Sequence, residues 1–222
     1  MSIIYIALLS FASVFLVIKT RSTPTSHYRN IFWALASAVI MKVSAYITGY
    51  QAVTVNLPIY QYALIDNFST LSAVVSNIFL FHFGISILTH KVRTIIDYKV
   101  FPIVLFAGYI MLYISGVIDT AALSSTSKLS FGYNGAILGC VGCVNLYYEK
   151  RKTQEKDNAL YGLLLLGLGL FTYAATEGIL SLSIFPKITI DVLNILSAGM
   201  IAVASLTVTD LMKEHRGKIG FV

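Results

Sequence analysis

LYGLLLLGLGLFTYAATEGILSLSIF, residues 160–185, decides what class of protein this is. The run holds a single charge, Glu177. An α-helix rises 1.5 Å per residue, and about 20 apolar residues cross the hydrocarbon layer of a bilayer. The stretch is therefore long enough to span with residues to spare. A carboxylate at that depth is paired, protonated or facing a wet cavity, because an isolated charge in hydrocarbon is costly. The one lysine or arginine set inside another apolar run is Lys42, which makes it the natural partner.

The rest of the chain has the same character. Of its 222 residues 57% are hydrophobic and 12% charged, against roughly 25% charged in soluble domains. The mean hydropathy is +0.78. Apolar runs at about 3–18, 31–50, 62–88, 98–117, 131–148, 160–185 and 192–211 predict seven transmembrane helices in one all-α integral membrane domain over residues 1–222. The first run lacks a basic n-region and a small-residue cleavage site, so it reads as a retained span. The segment 118–130, IDTAALSSTSKLS, reads as a polar connection, and Pro186 as a helix stop.

The net charge of +6 would point to nucleic acid on a soluble surface, but here it is sorted by side. The linkers after spans one, three and five and the tail carry 3, 3, 4 and 3 of the 16 lysines and arginines. Lys128 and Lys187 lie on the other side and Lys42 within a span. Basic residues mark the cytoplasmic face. The amino terminus is thus expected outside and the carboxyl terminus in the cytoplasm, in a bacterial plasma membrane, with lipids as partners and no nucleic acid.

Four residues are expected to line a pocket in the outer half. Lys42 and Glu177 fall at similar depth, and Tyr46 and Tyr173 lie one helical turn from each. The pair reads as a structural bridge, a polar ligand or ion site, or a proton relay. Asp66 and His82 are further candidates for the pocket or for packing. His82, in NIFLFHFGIS, reads as a packing histidine or as a haem ligand. The other histidines, at 27, 90 and 215, fall in linkers or the tail, so a second axial ligand at its depth is lacking and no cofactor is expected. Cys140 and Cys143 form a C-x-x-C, the spacing of a redox thiol pair. They lie in GAILGCVGC, where Gly135 and Gly139 have the spacing of a close helix–helix contact. No metal-ligand spacing, phosphate loop or nucleophile elbow occurs, and no lysine in span seven could hold retinal, so no enzymatic activity is expected.

FGYNGAILGCVG at 131–142, a basic linker, TYAATEGIL at 172–180, a proline at the next turn and TDLMKEHRGK after the last span follow one another in an order that resembles the polytopic membrane sensor regions ahead of some bacterial histidine kinases and diguanylate cyclases. FHFGISIL at 81–88 fits the same layout. The resemblance implies an input module in which a stimulus shifts the last span. With no output domain in these residues, it also implies a protein partner in the membrane or at the cytoplasmic face. An accessory subunit of a larger electron-transfer or translocating complex, and a carrier for a small solute or protons, are the alternatives.

Overall fold

Apolar helices build the whole of what the computed structural model describes, residues 2–22, 26–54, 59–88, 100–152, 157–178 and 186–207. In chain order they are α1 (Ser2–Ser22), α2 (Ser26–Thr54), α3 (Ile59–Leu88), α4 (Val100–Ile114), α5 (Thr120–Ser127), a π-helical turn (Lys128–Gly132), α6 (Tyr133–Lys152), α7 (Asp157–Gly178) and α8 (Lys187–Thr207). Because α5, the π turn and α6 run on without a break, the described residues form seven helical rods and no strand.

Six of the rods close a ring. In order around it stand α1, α2, α3, α6, α7 and α8, with α8 returning to α1. The fourth rod, α4, is left outside, packed on α3. Glycine explains the exclusion. A Cβ on Gly84 of α3 would collide with the Gly135 carbonyl of α6. A Cβ on Gly135 would lie 2.5 Å from the Phe81 backbone, and one on Gly142 2.5 Å from Ile87 Cγ2. The two helices thus touch backbone to backbone, with no space for another helix between them. The main core, including Leu9, Leu35, Phe83, Cys143, Leu163 and Ile201, draws on all six ring helices.

The serine-rich segment expected as a connection is helical, and the fifth rod begins well before residue 131. Three contacts account for this. Asp119 Oδ1 accepts the Ala122 N–H at 2.6 Å, an N-cap that starts α5. Leu123 and Ser127, four residues apart and so on one face, are both buried. Leu123 joins Val74, Ile78 and Tyr109 in a second apolar cluster between α3 and α4. The π turn follows where α3 crowds the helix. Phe131 is wedged between the rings of Phe81 and Tyr109, 5.5 Å from each. A Cβ at Gly132 would stand 2.6 Å from Asn77 Oδ1.

Among the described residues four stretches are long and apolar enough to cross a membrane, Asn30–Ile47, Ala63–Leu88, Ser125–Lys152 and Lys187–Thr207. Three shorter apolar helices, Ile3–Ile18, Val100–Ile114 and Leu160–Thr176, accompany them. α3 is the axis of the assembly: 61% of its apolar window is buried, against 33–39% in the other three. The outward faces carry Phe11, Val14, Ile18, Met111, Leu168 and Val203, all exposed. In water such faces would aggregate, whereas lipid tails solvate them.

Candidate functional site

Between the ring helices lies a partly open cavity of about 160 Å³. Its wall is mostly apolar, with Leu9 from α1, Ala34 and Ala38 from α2, Ala73 and Leu80 from α3, Leu170 from α7 and Ile201 from α8. Small residues leave the space open: alanine and serine stand where leucine would fill it. The polar groups on the wall are Tyr5, Lys42, Ser76, Asn77, Lys128, Tyr173 and Ser197.

Several of these are held by the neighbouring helices. Ser76 donates its hydroxyl proton to the Ala34 carbonyl at 2.8 Å, tying α3 to α2. Ser197 donates to the Gly169 carbonyl at 2.8 Å, tying α8 to α7. A Cβ on Gly169 would lie 2.9 Å from Ile201 Cγ1, so this seam too depends on glycine. The Asn77 amide donates to Ser127 Oγ at 3.1 Å, a buried bond that pins the start of the π turn to α3. The turn brings Lys128 to the cavity wall, where its Nζ also lies 5.9 Å from the centre of the Tyr133 ring. π turns within α-helices occur frequently at functional sites, because the extra residue re-aims a side chain.

Lys42 reaches the cavity from α2, with its Nζ 5.5 Å from the centre of the Tyr5 ring on α1. The electron-rich face of an aromatic ring attracts an ammonium by about 0.5–2 kcal/mol, more where water is excluded. That recovers part of the roughly 2.5–3.5 kcal/mol that insertion scales assign to a charge at a span centre. Among the described residues on the wall, Lys42 and Lys128 are the charged ones.

Of the four residues expected to line a pocket, the structure brings Lys42 and Tyr173 onto one wall. Tyr46 is 44% exposed and is not part of it. Four residues along a helix advance 400°, a drift of about 40° off the starting face, and Ala45, Tyr46 and Ile47 all stand exposed where α2 has run past the cavity. Glu177 follows Tyr173 by four residues on α7, but its side chain, and with it the Lys42–Glu177 pairing, lies outside the described residues. Asp66 is exposed on α3. His82 is 1% exposed, with its ring 5.8 Å from that of Phe101 on α4, away from the cavity wall. No cluster of three potential metal ligands occurs among the described residues.

Gly135 and Gly139 lie buried on α6, Gly135 against α3 and Gly139 between Leu170 of α7 and Phe83 of α3. Cys143 is buried and Cys140 half-buried, both as free thiols, and a Cβ on Gly167 of α7 would lie 3.3 Å from Cys143 Cβ and 3.5 Å from the Cys140 carbonyl oxygen. The polar cavity residues that sequence reasoning missed are Tyr5, Ser76, Asn77, Lys128 and Ser197. For Lys128 a signal existed: Leu123 and Ser127 share a helical face, which would have carried the helix back through the serine-rich segment. Tyr5 had none beyond being an aromatic residue in an apolar run. The chain matches no protein-family model, no curated protein and no solved structure.

Proposed function

We propose that the chain is a non-enzymatic membrane sensor, a seven-span bundle with its amino terminus outside and its carboxyl terminus in the bacterial cytoplasm. A small stimulus molecule occupies the ring cavity, and the last helix carries the response to a protein partner. The observation that carries this reading is the composition of the wall: Ser197, Ala198 and Ile201 belong to α8. An occupant of the cavity therefore presses on the same helix that leads to the basic tail. α8 is held on one side by the tight α7 seam and on the other by α1. Its freedom is to slide or tilt along that seam, a movement of about 1–2 Å in helix-shift transitions.

Spin labels at Arg151 and Leu206, exposed residues on α6 and α8, test the reading in the full chain in lipid nanodiscs. Filling the cavity from within by Ala38→Trp should shift the distance distribution by about 1–2 Å. Superimposable distributions with and without the tryptophan would remove the signalling role. A second reading, a carrier, shares the same cavity. It requires flux of a small solute or of protons into reconstituted vesicles above that into empty ones.

A further inference from the structure

The cavity wall changes character from one end to the other, and the contacts between helices fix which residues share an end. Ser69 donates to the Met41 carbonyl at 3.3 Å and Ser76 to the Ala34 carbonyl at 2.8 Å, so α2 and α3 run antiparallel. A Cβ on Gly132, Gly135 or Gly142 of the fifth rod would meet Asn77, Phe81 or Ile87 in turn, so that rod runs parallel to α3. A Cβ on Gly139 would meet Leu170, and one on Gly167 would meet Cys143, which makes α7 antiparallel to α6 and parallel to α2. Lys42 and Tyr173 therefore stand towards the same end of the cavity. Tyr5 of α1 joins them there, its ring centre 5.5 Å from Lys42 Nζ. Towards the opposite end the wall is Ile31 and Leu35 of α2 and Leu80 of α3.

Length and volume set the shape. On α2 the lining residues recur at 31, 34, 35, 38, 41 and 42, one helix face over three turns, about 16 Å. On α3 they run from Ala73 to Leu80, about 10 Å. The volume of about 160 Å³ is close to that of the cavity of about 150 Å³ that takes a six-carbon benzene ring, here drawn out into a slot. A slot polar at one end and apolar at the other fits a slender amphiphile laid along α2. An ammonium carries three N–H donors and accepts nothing, so the head beside Lys42 is an acceptor. A carboxylate gains most there, because charge-assisted hydrogen bonds are about twice as strong as neutral ones.

We infer that the cavity binds an unbranched medium-chain carboxylate of about six to eight carbons, its head at Lys42 and its tail directed towards Ile31 and Leu80. The assignment rests on reading the cavity as the sensor's ligand site, and it adds the ligand class to that reading.

The test uses the full chain in phosphatidylcholine nanodiscs, with 8-fluorooctanoate as probe, fluorine NMR as readout and empty nanodiscs as blank. Saturable binding is expected, displaced by straight-chain carboxylates whose affinity rises about fourfold per methylene. The rise should stop at about eight carbons, where the slot ends. The branched isomer 2-propylpentanoate, octanol and octylamine should each displace the probe about tenfold less well than octanoate. Lys42→Gln should weaken binding about tenfold at every chain length, the loss of one charge-assisted hydrogen bond. Ala34→Phe, one turn from Ile31, should move the optimum to a shorter chain. Should the phenylalanine variant fail to fold, the chain-length series and Lys42→Gln carry the test. Absence of saturable binding, or an affinity still rising at dodecanoate as partition into the bilayer would give, would overturn the ligand class. So would equal displacement by the branched isomer or octanol, or unchanged binding by Lys42→Gln. Binding with the expected length profile but without movement of α8 would instead leave the ligand class standing and remove the sensor.

Discussion

The Lys42 ammonium stands 5.5 Å from the centre of the Tyr5 ring, which joins the first two helices at the wall of the cavity. A lysine maintained for folding and one maintained for a ligand respond differently to removal. If Lys42 serves the ligand, Lys42→Met leaves the thermal midpoint in detergent unchanged or raises it, because it removes a charge that is costly in hydrocarbon. Tyr5→Leu leaves that charge with less compensation and lowers stability by about 1 kcal/mol, or about 2–4 °C for a chain of this length. A Lys42→Met variant as unstable as Tyr5→Leu would make the lysine a structural pivot.

The glycine contact between α3 and α6 sets the ring, so it tolerates no side chain. Gly135→Ala places a methyl group 2.5 Å from the Phe81 backbone, and backbone cannot yield as a side-chain tip does. The expected cost is about 3 kcal/mol, the upper end for overpacking, read as a lowered midpoint and a lower yield of monodisperse protein. Gly108, on α4 outside the ring, has nothing within 4 Å of its would-be Cβ. Gly108→Ala should be neutral or stabilising by up to about 1 kcal/mol, the helix-propensity gain.

Asn77 and Ser127 form a buried side-chain pair across α3 and the π turn. Ser127→Ala alone leaves the buried amide short of its acceptor, at a cost of about 1–3 kcal/mol. In a double-mutant cycle with Asn77→Leu the losses should be far from additive, because removing both partners strands neither. Additive losses, measured by thermal or denaturant unfolding, would show that the pair does not hold the turn.

How much of this was legible without coordinates follows from the reach of each interaction. The apolar runs were legible because burial in lipid imposes a length and a composition on every span, and Lys42 was legible because a charge in such a run is conspicuous. The α3–α6 contact left half a trace: Gly135 and Gly139 marked a close-packing face, but nothing in their spacing named Gly84 and Phe81 as the other side. Lys128 was hidden by composition, since serine-rich segments between apolar runs usually form connections. Here Asp119 caps a helix and Leu123 anchors it, so the segment folds back onto α3. The cavity itself was not legible, because it is a property of which helices become neighbours. Only the ring order brings α1, α2 and α8 around the same space.

Thiol reactivity inside the ring tests the central claim most directly. In a chain with Cys140 and Cys143 replaced by alanine, single cysteines at Ala38 and Ala198 face the cavity, while cysteines at Leu168 and Val203 replace exposed residues on the outer surface. The water-soluble, negatively charged methanethiosulfonate ethylsulfonate should modify positions 38 and 198 many-fold faster than 168 and 203. Reaction at 38 and 198 no faster than at the lipid-facing positions would mean that no water-reachable cavity exists within the helix ring.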